Sequence, residues 1–393
     1  TVLSSGVVGG AAAGVLAEKI TTTHSSALTV EESRLAAKRI ALDNTVREGV
    51  SNLLIQASGG GFSANGLGAG VRLMSNALTT VSDSTLAAAE RVALDTGVDT
   101  FSNSLYVRGD VSAVLGLSVS AILNTADGTA ETVIDGTSSI TGEGDGDAEL
   151  SVSTWRDTTF KMIDASVSLS GWSAVGASVG INTFGGLAAT RIDGGEDSRV
   201  TLGRTGKDSL TVRAVNNDTL DVVSATGGFS STAGLNAGVI VNDFSGAADV
   251  SVLGADIRAG SADISSAQNR NIDIDAWSVP VSGISIAAQV LINRIGEDHD
   301  AYSAIVADAL DNGEDAQTDA ESDSDVSASA DGAVTVARDF TADEGFLSEA
   351  ASGTDTAGVQ AALTAASYRS RSRSDLHGTH VTLSDTAATV SGA

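Results

Sequence analysis

Apolar positions fall at every second residue in four separate stretches of the chain. They are Leu117, Val119, Ala121 and Leu123; Val175, Ala177, Val179 and Ile181; Leu235, Ala237, Val239 and Val241; and Ile286, Ala288, Val290 and Ile292. A period of two is the signature of a β-strand, whose successive side chains point to opposite faces. The intervening residues are mostly Gly, Ser and Ala, which suit a flat outer face, so the apolar set is expected to point inward. On this reading Val119, Val179, Val239 and Val290 stack as one column. Each alternation stops at an Asn (Asn124, Asn182, Asn242 or Asn293), and the strands are expected to end at or just before it. Shorter alternations follow in Leu210–Ala214 and Asn271–Trp277.

The four stretches belong to a longer repeat. The four Asn residues lie 58, 60 and 51 positions apart. Ten residues after the first three come Ile134, Ile192 and Val252, and two further on Gly136, Gly194 and Gly254. In the fourth copy a two-residue insertion puts Ile305 and Ala307 at those places. The front of the chain repeats as well: Ser33–Asp43 returns as Ser84–Asp95, Ser51-Asn52 as Ser102-Asn103, and Gly66–Leu73 takes the place of Gly116–Leu123. These are five diverged units of roughly 50–60 residues, the period of stacked repeat proteins. Residues 1–50 lead into the repeats, 51–324 carry them, and 325–393 fit the pattern poorly.

Strands recurring between turn residues, with no sustained helical period, define an all-β repeat protein in which each unit stacks on the next. The expected architecture is a repetitive β-solenoid, a parallel β-helix with two or three coils per repeat; the alternative is an antiparallel β-sandwich or β-prism array. The recurring Asn has two readings, a buried amide ladder between stacked units or a turn residue tolerating the left-handed region. Its place directly after the last apolar residue favours the turn. Glu31–Val50 is ambiguous: Leu35, Leu42, Val46 and Val50 approach helical spacing among good helix formers, so a short helix there is the alternative to a strand.

Charge narrows the possible partners. With 22 Lys and Arg against 50 Asp and Glu, the formal net charge is −28. Nucleic acid, which is held through clustered basic side chains, is excluded, and an anionic membrane surface is disfavoured. No cysteine occurs, so disulfides and thiolate chemistry are absent. The opening twenty residues lack a basic segment before their apolar run, and Glu18 and Lys19 close that run too early for a helical membrane span. The pattern begins mid-unit, as expected of a mature chain or of a segment of something larger.

Candidate chemistry is sparse. His377 and His380 stand three apart without the further ligands that a zinc site needs. Acidic clusters at 142–149, 193–197, 296–300 and 311–325 sit at expected turns; weak Ca²⁺ binding there competes with a solvated edge that resists aggregation. Arg369, Arg371 and Arg373 alternate in the one basic run and are expected to meet an acidic neighbour within the stack. No catalytic residue and no cofactor-binding residue is identified, the metal sites stay open, and an enzyme is not expected. The alternative is a carbohydrate-active enzyme on a β-helix, which a surface groove lined by Asp, Arg and aromatic residues would favour.

The segment "LNAGVIVNDFSGAADVSVLG" and its copies, over about Ser51–Asp308, resemble the repeats "AGxxVxVNxxxxxxxAxIxG" of giant bacterial surface adhesins, the leukotoxin-like and filamentous-haemagglutinin-like exoproteins. The resemblance implies export, a long β-solenoid stalk, and a role in attachment or biofilm formation. It places the chain outside the cell or on the bacterial surface. The implied partners are further copies joined end to end and host or matrix glycans or proteins, with no cofactor and no transmembrane segment. A self-assembling filament subunit is the alternative.

Overall fold

The computed structural model describes residues 2–7, 11–195, 199–204, 207–282, 284–295, 326–330, 333–339, 357–368, 372–377, 380–383 and 388–392, with side chains described mainly between 13 and 275. Every regular element among them is a strand: β1 (Val2–Val7), β2 (Ala11–Glu31), β3 (Arg34–Ser82), β4 (Thr85–Asp135), β5 (Ser139–Gly142), β6 (Glu149–Ser170), β7 (Ser173–Phe184), β8 (Leu187–Asp193), β9 (Val200–Leu202), β10 (Ser209–Ser230), β11 (Ala233–Phe244), β12 (Ala247–Leu253), β13 (Ala255–Ala259), β14 (Ser261–Val281) and β15 (Ile284–Ile295). Six short strands follow: β16 (Val326–Ala330), β17 (Ala333–Asp339), β18 (Ala357–Tyr368), β19 (Ser372–His377), β20 (His380–Leu383) and β21 (Ala388–Gly392). The helix weighed for Glu31–Val50 does not form. That stretch lies almost wholly in β3, where Ile40, Asn44, Val46, Glu48 and Val50 are buried on alternate positions. Pairing along a neighbouring strand overrides the helix propensity of its Ala and Leu residues.

All pairings among the described strands are parallel, and those among β1 to β15 join residues one repeat apart. Arg34 faces Thr85, Arg91 faces Glu149, Glu149 faces Ser209 and Ser209 faces Ser261, offsets of 51, 58, 60 and 52 residues. One repeat therefore makes one layer of the stack, not the two or three expected. The antiparallel array is not what these strands build. Length differences between units are absorbed locally: the register shifts between Ala37 and Arg39 and between Gly60 and Phe62, and loops lie beyond β5 and β8. The shift after Ala37 absorbs the extra residue of Ser84–Asp95. Further on the observed register departs from the sequence alignment, since Ser51 meets Asn103 and Gly66 meets Val119 rather than Gly116.

Within a layer the chain runs out along one wall and returns along a second. β6 forms the first wall; β7 and β8 face it across the core after a turn at Gly171-Trp172. Ile134, Ile192 and Val252 are in register and fully buried. They lie in one apolar cluster with Leu94, Val152 and Val212 at the end remote from that turn. A second cluster, centred on Phe160, Phe184 and Phe244, occupies the middle. There Phe184 stacks on Phe244 at 4.6 Å and meets Phe160 edge-on at 5.0 Å. The conserved spacing of Gly residues also has a backbone cause. Gly136 and Gly254, which end their layers' strands, have φ of 66° and 58°, in the left-handed region that Gly occupies without strain.

The inward and outward faces of the return strand are reversed from expectation. Leu117, Val119 and Leu123 are exposed, as are Val179 and Leu235, while Ser118, Ser120, Asn124, Asn182, Asn236 and Asn242 are buried. The register also differs, because Val119 lies beside Ala177, whereas Ala121, Val179, Val239 and Val290 share one column. The strands run past the Asn, by two residues to Phe184, Phe244 and Ile295 and by eleven to Asp135. A period of two cannot choose which face is inside, and a one-residue change inverts the choice for the whole strand. Tight spacing favours the observed one: a Cβ on Gly116 would lie 2.3 Å from Asp110 Oδ2 and 2.6 Å from Ser168 Oγ on the facing wall.

The late repeats are rearranged. Past β12 the next strand in register is β19, with Arg373 beside Asp249, and β20 continues along β13. β18 covers β15. The C-terminal region thus supplies strands to the same stack, at positions where the fourth repeat was expected to continue. Ile305 and Ala307 lie outside the described residues.

These faces predict opposite outcomes for adjacent substitutions. Ile240→Asp, which buries an unpaired carboxylate, should cost at least about 3 kcal/mol, whereas outward-facing Val239→Asp should stay within about 1 kcal/mol of the wild type. Urea unfolding of both variants checks the assignment; a large loss for Val239→Asp would reverse it.

Candidate functional sites in the core, the turns and one groove

Three buried polar rows organise the interior. Thr79, Thr96, Thr132, Thr154 and Thr190 form a zigzag of hydroxyl hydrogen bonds of 2.7–2.8 Å between the two walls, and Asn44 joins it at 3.4 Å. The recurring Asn forms the amide ladder. Asn124 Nδ2 donates to Asn182 Oδ1 and Asn182 Nδ2 to Asn242 Oδ1, both at 2.8 Å, and the backbone register carries the row to Asn293. The turn reading of this residue is thus corrected. In-register stacking puts each amide one layer below another, where donor meets acceptor. The Thr row was missed in the sequence, although Thr132 and Thr190 recur eight residues after their Asn.

The third row holds charge. Arg156 Nη1 donates to Asn216 (2.9 Å) and Asp218 (2.8 Å). Gly186, at φ 123°, makes room for it: a Cβ there would lie 2.6 Å from Arg156 Nε. Nearer the turn, Arg108 Nη2 donates to both carboxylate oxygens of Asp164 at 2.9 and 3.1 Å, while its Nε and Nη1 have no partner. Burial pushes the Asp164 carboxyl above its usual range, against the opposing pull of the Arg108 charge. Removing two charges from water costs more than good pairing returns in many proteins, so this pair specifies geometry more than it adds stability.

The described acidic turn at 142–149 is held by basic side chains of the next layer. In the 142–149 turn, Arg204 from the next layer donates to the carbonyls of Gly144 (2.6 Å) and Gly146 (2.9 Å) and pairs with Asp208 at 2.9 Å, and Lys207 reaches the Asp145 carbonyl. Two backbone oxygens that a cation would want are thus taken by a guanidinium. Among the described residues no three His, Asp or Glu side chains group as metal ligands. Asp193 lies at the end of β8 and accepts a hydrogen bond from Gly195 N. The clusters at 296–300 and 311–325, and residues 196 and 197, lie outside the described residues, as do Arg369 and Arg371. His377 ends β19 and His380 begins β20.

A groove of about 540 Å³ crosses the outer face of β3, β4 and β6. Its floor carries Ala41, Ala93, Ser151 and Ser153, with Arg39 and Arg91 on one rim and Asp43 and Asp95 on the other. Beside it the ring of Trp155 fills the space over Gly97, and its Nε1 donates to Asp95 Oδ1 at 2.9 Å. Burial raises the Asp95 pKa, the Trp155 hydrogen bond opposes that, and the neighbouring Asp43 charge adds to it. Arg39 is held by Glu90 at 2.6 Å and Arg91 by Glu149 at 3.7 Å. The composition comes from stacking: Arg39 and Arg91, and Asp43 and Asp95, are register partners in adjacent strands. The groove can offer carboxylate acceptors, guanidinium donors and an indole to a polar ligand. Nothing in the sequence reading singled it out, because its residues are about 50 positions apart.

Comparison with known proteins finds no matching family model, no matching curated protein and no matching solved structure.

Two outcomes test the interior. Asn182→Ala removes two ladder hydrogen bonds and should cost about 1–3 kcal/mol in urea unfolding. For Asp164 the folded pKa is raised, so the native state binds its proton more readily than the unfolded chain. Its contribution therefore grows as pH falls from neutrality toward the usual carboxylate range. The stability of the wild type relative to Asp164→Asn should accordingly rise on acidification; a difference that shrinks would contradict the burial.

Proposed function

We propose that the chain is a segment of an extracellular fibre on a bacterial surface, built as a parallel β-helix in which each repeat is one coil, and serving attachment or biofilm formation. The observation that carries this reading is the in-register parallel pairing of repeats 51–60 residues apart. Such a stack lengthens by one layer per repeat with no change in cross-section, and extended reach is what a stalk requires. The resemblance of the Asn-centred repeats to filamentous-haemagglutinin-like and leukotoxin-like adhesins supports the same class. Further copies at its ends and matrix glycans or proteins are the proposed partners. Nucleic acid is not among them, since the net charge is −28. On this reading the chain is not an enzyme and needs no cofactor. A filament subunit that assembles from separate chains shares the architecture.

The groove favours a second reading, a carbohydrate-active protein on the same scaffold, because Asp43 and Asp95 stand in adjacent strands beside Arg91 and Trp155. One experiment separates them. The chain is displayed on a non-adherent bacterium, and adherence to matrix-coated surfaces is measured beside polysaccharide turnover. Adherence that survives Asp95→Asn, without turnover, supports the fibre; turnover abolished by Asp95→Asn would establish the enzyme.

A further inference from the structure

The return wall carries one outer stretch with no charge. Leu117, Val119, Ala121 and Leu123 on β4, Val175, Ala177, Val179 and Ile181 on β7, and Leu235, Ala237, Val239 and Val241 on β11 occupy its outward positions. Leu117, Val119, Leu123, Val179 and Leu235 are exposed, and the others are exposed or half-buried. The nearest charged residues along these strands, Asp127 and Asp243, stand beyond its end, and Arg191 pairs with Glu131 at 3.2 Å further along the wall. A seven-residue stretch spans about 23 Å and a layer adds about 4.8 Å, so three layers present roughly 330 Å² of flat apolar sheet. That is already within the size range of the largest patches on monomers, which often serve function.

We infer that this face pairs laterally with the same face of a second copy of the chain. Four observations select that occupant. The face is self-complementary, because small Ala121, Ala177 and Ala237 alternate along the strand with larger Val and Leu side chains. A second copy repeats those ridges at the same interlayer spacing, so contacts add layer by layer, as they would not for a partner without the repeat. About 330 Å² per copy is well under half the 800 Å² that a standard stable interface takes from each partner, so the contact is weak for three layers and strengthens with their number. Finally, a lipid bilayer fits poorly. Inserting these strands end-on would carry the polar turns Gly171-Trp172 and Ser231-Thr232 into hydrocarbon, where backbone groups must be satisfied internally. The inference rests on the layered stack and deepens the fibre reading: end-to-end continuation sets length, and this face sets width.

The test uses the whole chain at high micromolar concentration, in low and in high salt, with sedimentation equilibrium for mass and electron microscopy for width. Wild type should reach twice the single-stack width. High salt should strengthen the pairing by screening repulsion between copies of net charge −28. The triple variant Val119→Lys, Val179→Lys, Val239→Lys should keep the wild-type circular dichroism and melting temperature and remain at single width. Ile163→Lys on the opposite wall should still pair. If the triple variant lengthens end to end without widening, the lateral face is assigned and the end contacts stand apart from it. Single-width wild type in both salts, double-width triple variant, or single-width wild type that floats with phosphatidylcholine vesicles would each overturn the inference. If the triple variant unfolds, Val239→Lys alone carries the same comparison.

Discussion

Every layer of this protein must fit on a near copy of itself, and that constraint governs the rest of the structure. In parallel, in-register pairing a residue has its counterpart as nearest neighbour, about 4.8 Å away. Side chains that interact well with their own kind are therefore favoured. Aliphatics pack in columns, as Ile134, Ile192 and Val252 do, and phenylalanines stack, as Phe184 and Phe244 do. Amides form ladders because each carries both a donor and an acceptor. Like charges are the hard case. Inside the core the chain resolves it by changing residue from layer to layer: at one inward position Val46 and Val98 give way to Arg156 and then Asn216.

The same constraint explains why polar and apolar interiors coexist in one core. Near the turn at Gly171 the walls are held by Ser118–Ser166 and Ser120–Asp164 contacts. Small inward residues let the sheets approach closely, and hydrogen bonds take the place of apolar filling. Toward the other end Leu94, Val152 and Val212 fill the interior instead. Large residues have then to point outward over the narrow part, and Val119, Val179 and Leu235 do so.

Much of the fold was legible because repetition is visible in sequence. The strands, the spacing of Asn124, Asn182 and Asn242 and the columns ten residues on are read from identity at fixed intervals, and the parallel register follows them. The choice of face was not legible. Val119 looks like a core residue and Ser120 like a surface one, and only the closeness of the opposite wall decides between them. The Asn was misjudged for the same reason, since an amide at the edge of an apolar run reads as a turn until its stacked partners are in view. The groove was harder still. Asp43, Asp95 and Trp155 belong to three repeats, and none differs in kind from any exposed residue of an acidic chain.

The direction of the hydrogen bonds between layers has a mechanical consequence. They lie along the axis on which layers stack, so tension on that axis loads the bonds of the terminal layer first. Yielding then proceeds by peeling, one layer at a time. A released layer of 51 to 60 residues extends to about 170–200 Å of chain, at about 3.3–3.4 Å per residue, from a thickness of about 4.8 Å. Each such step dissipates work while the remaining layers keep their register. The stack is thereby a tether that lengthens in discrete increments under load and does not snap at a single joint.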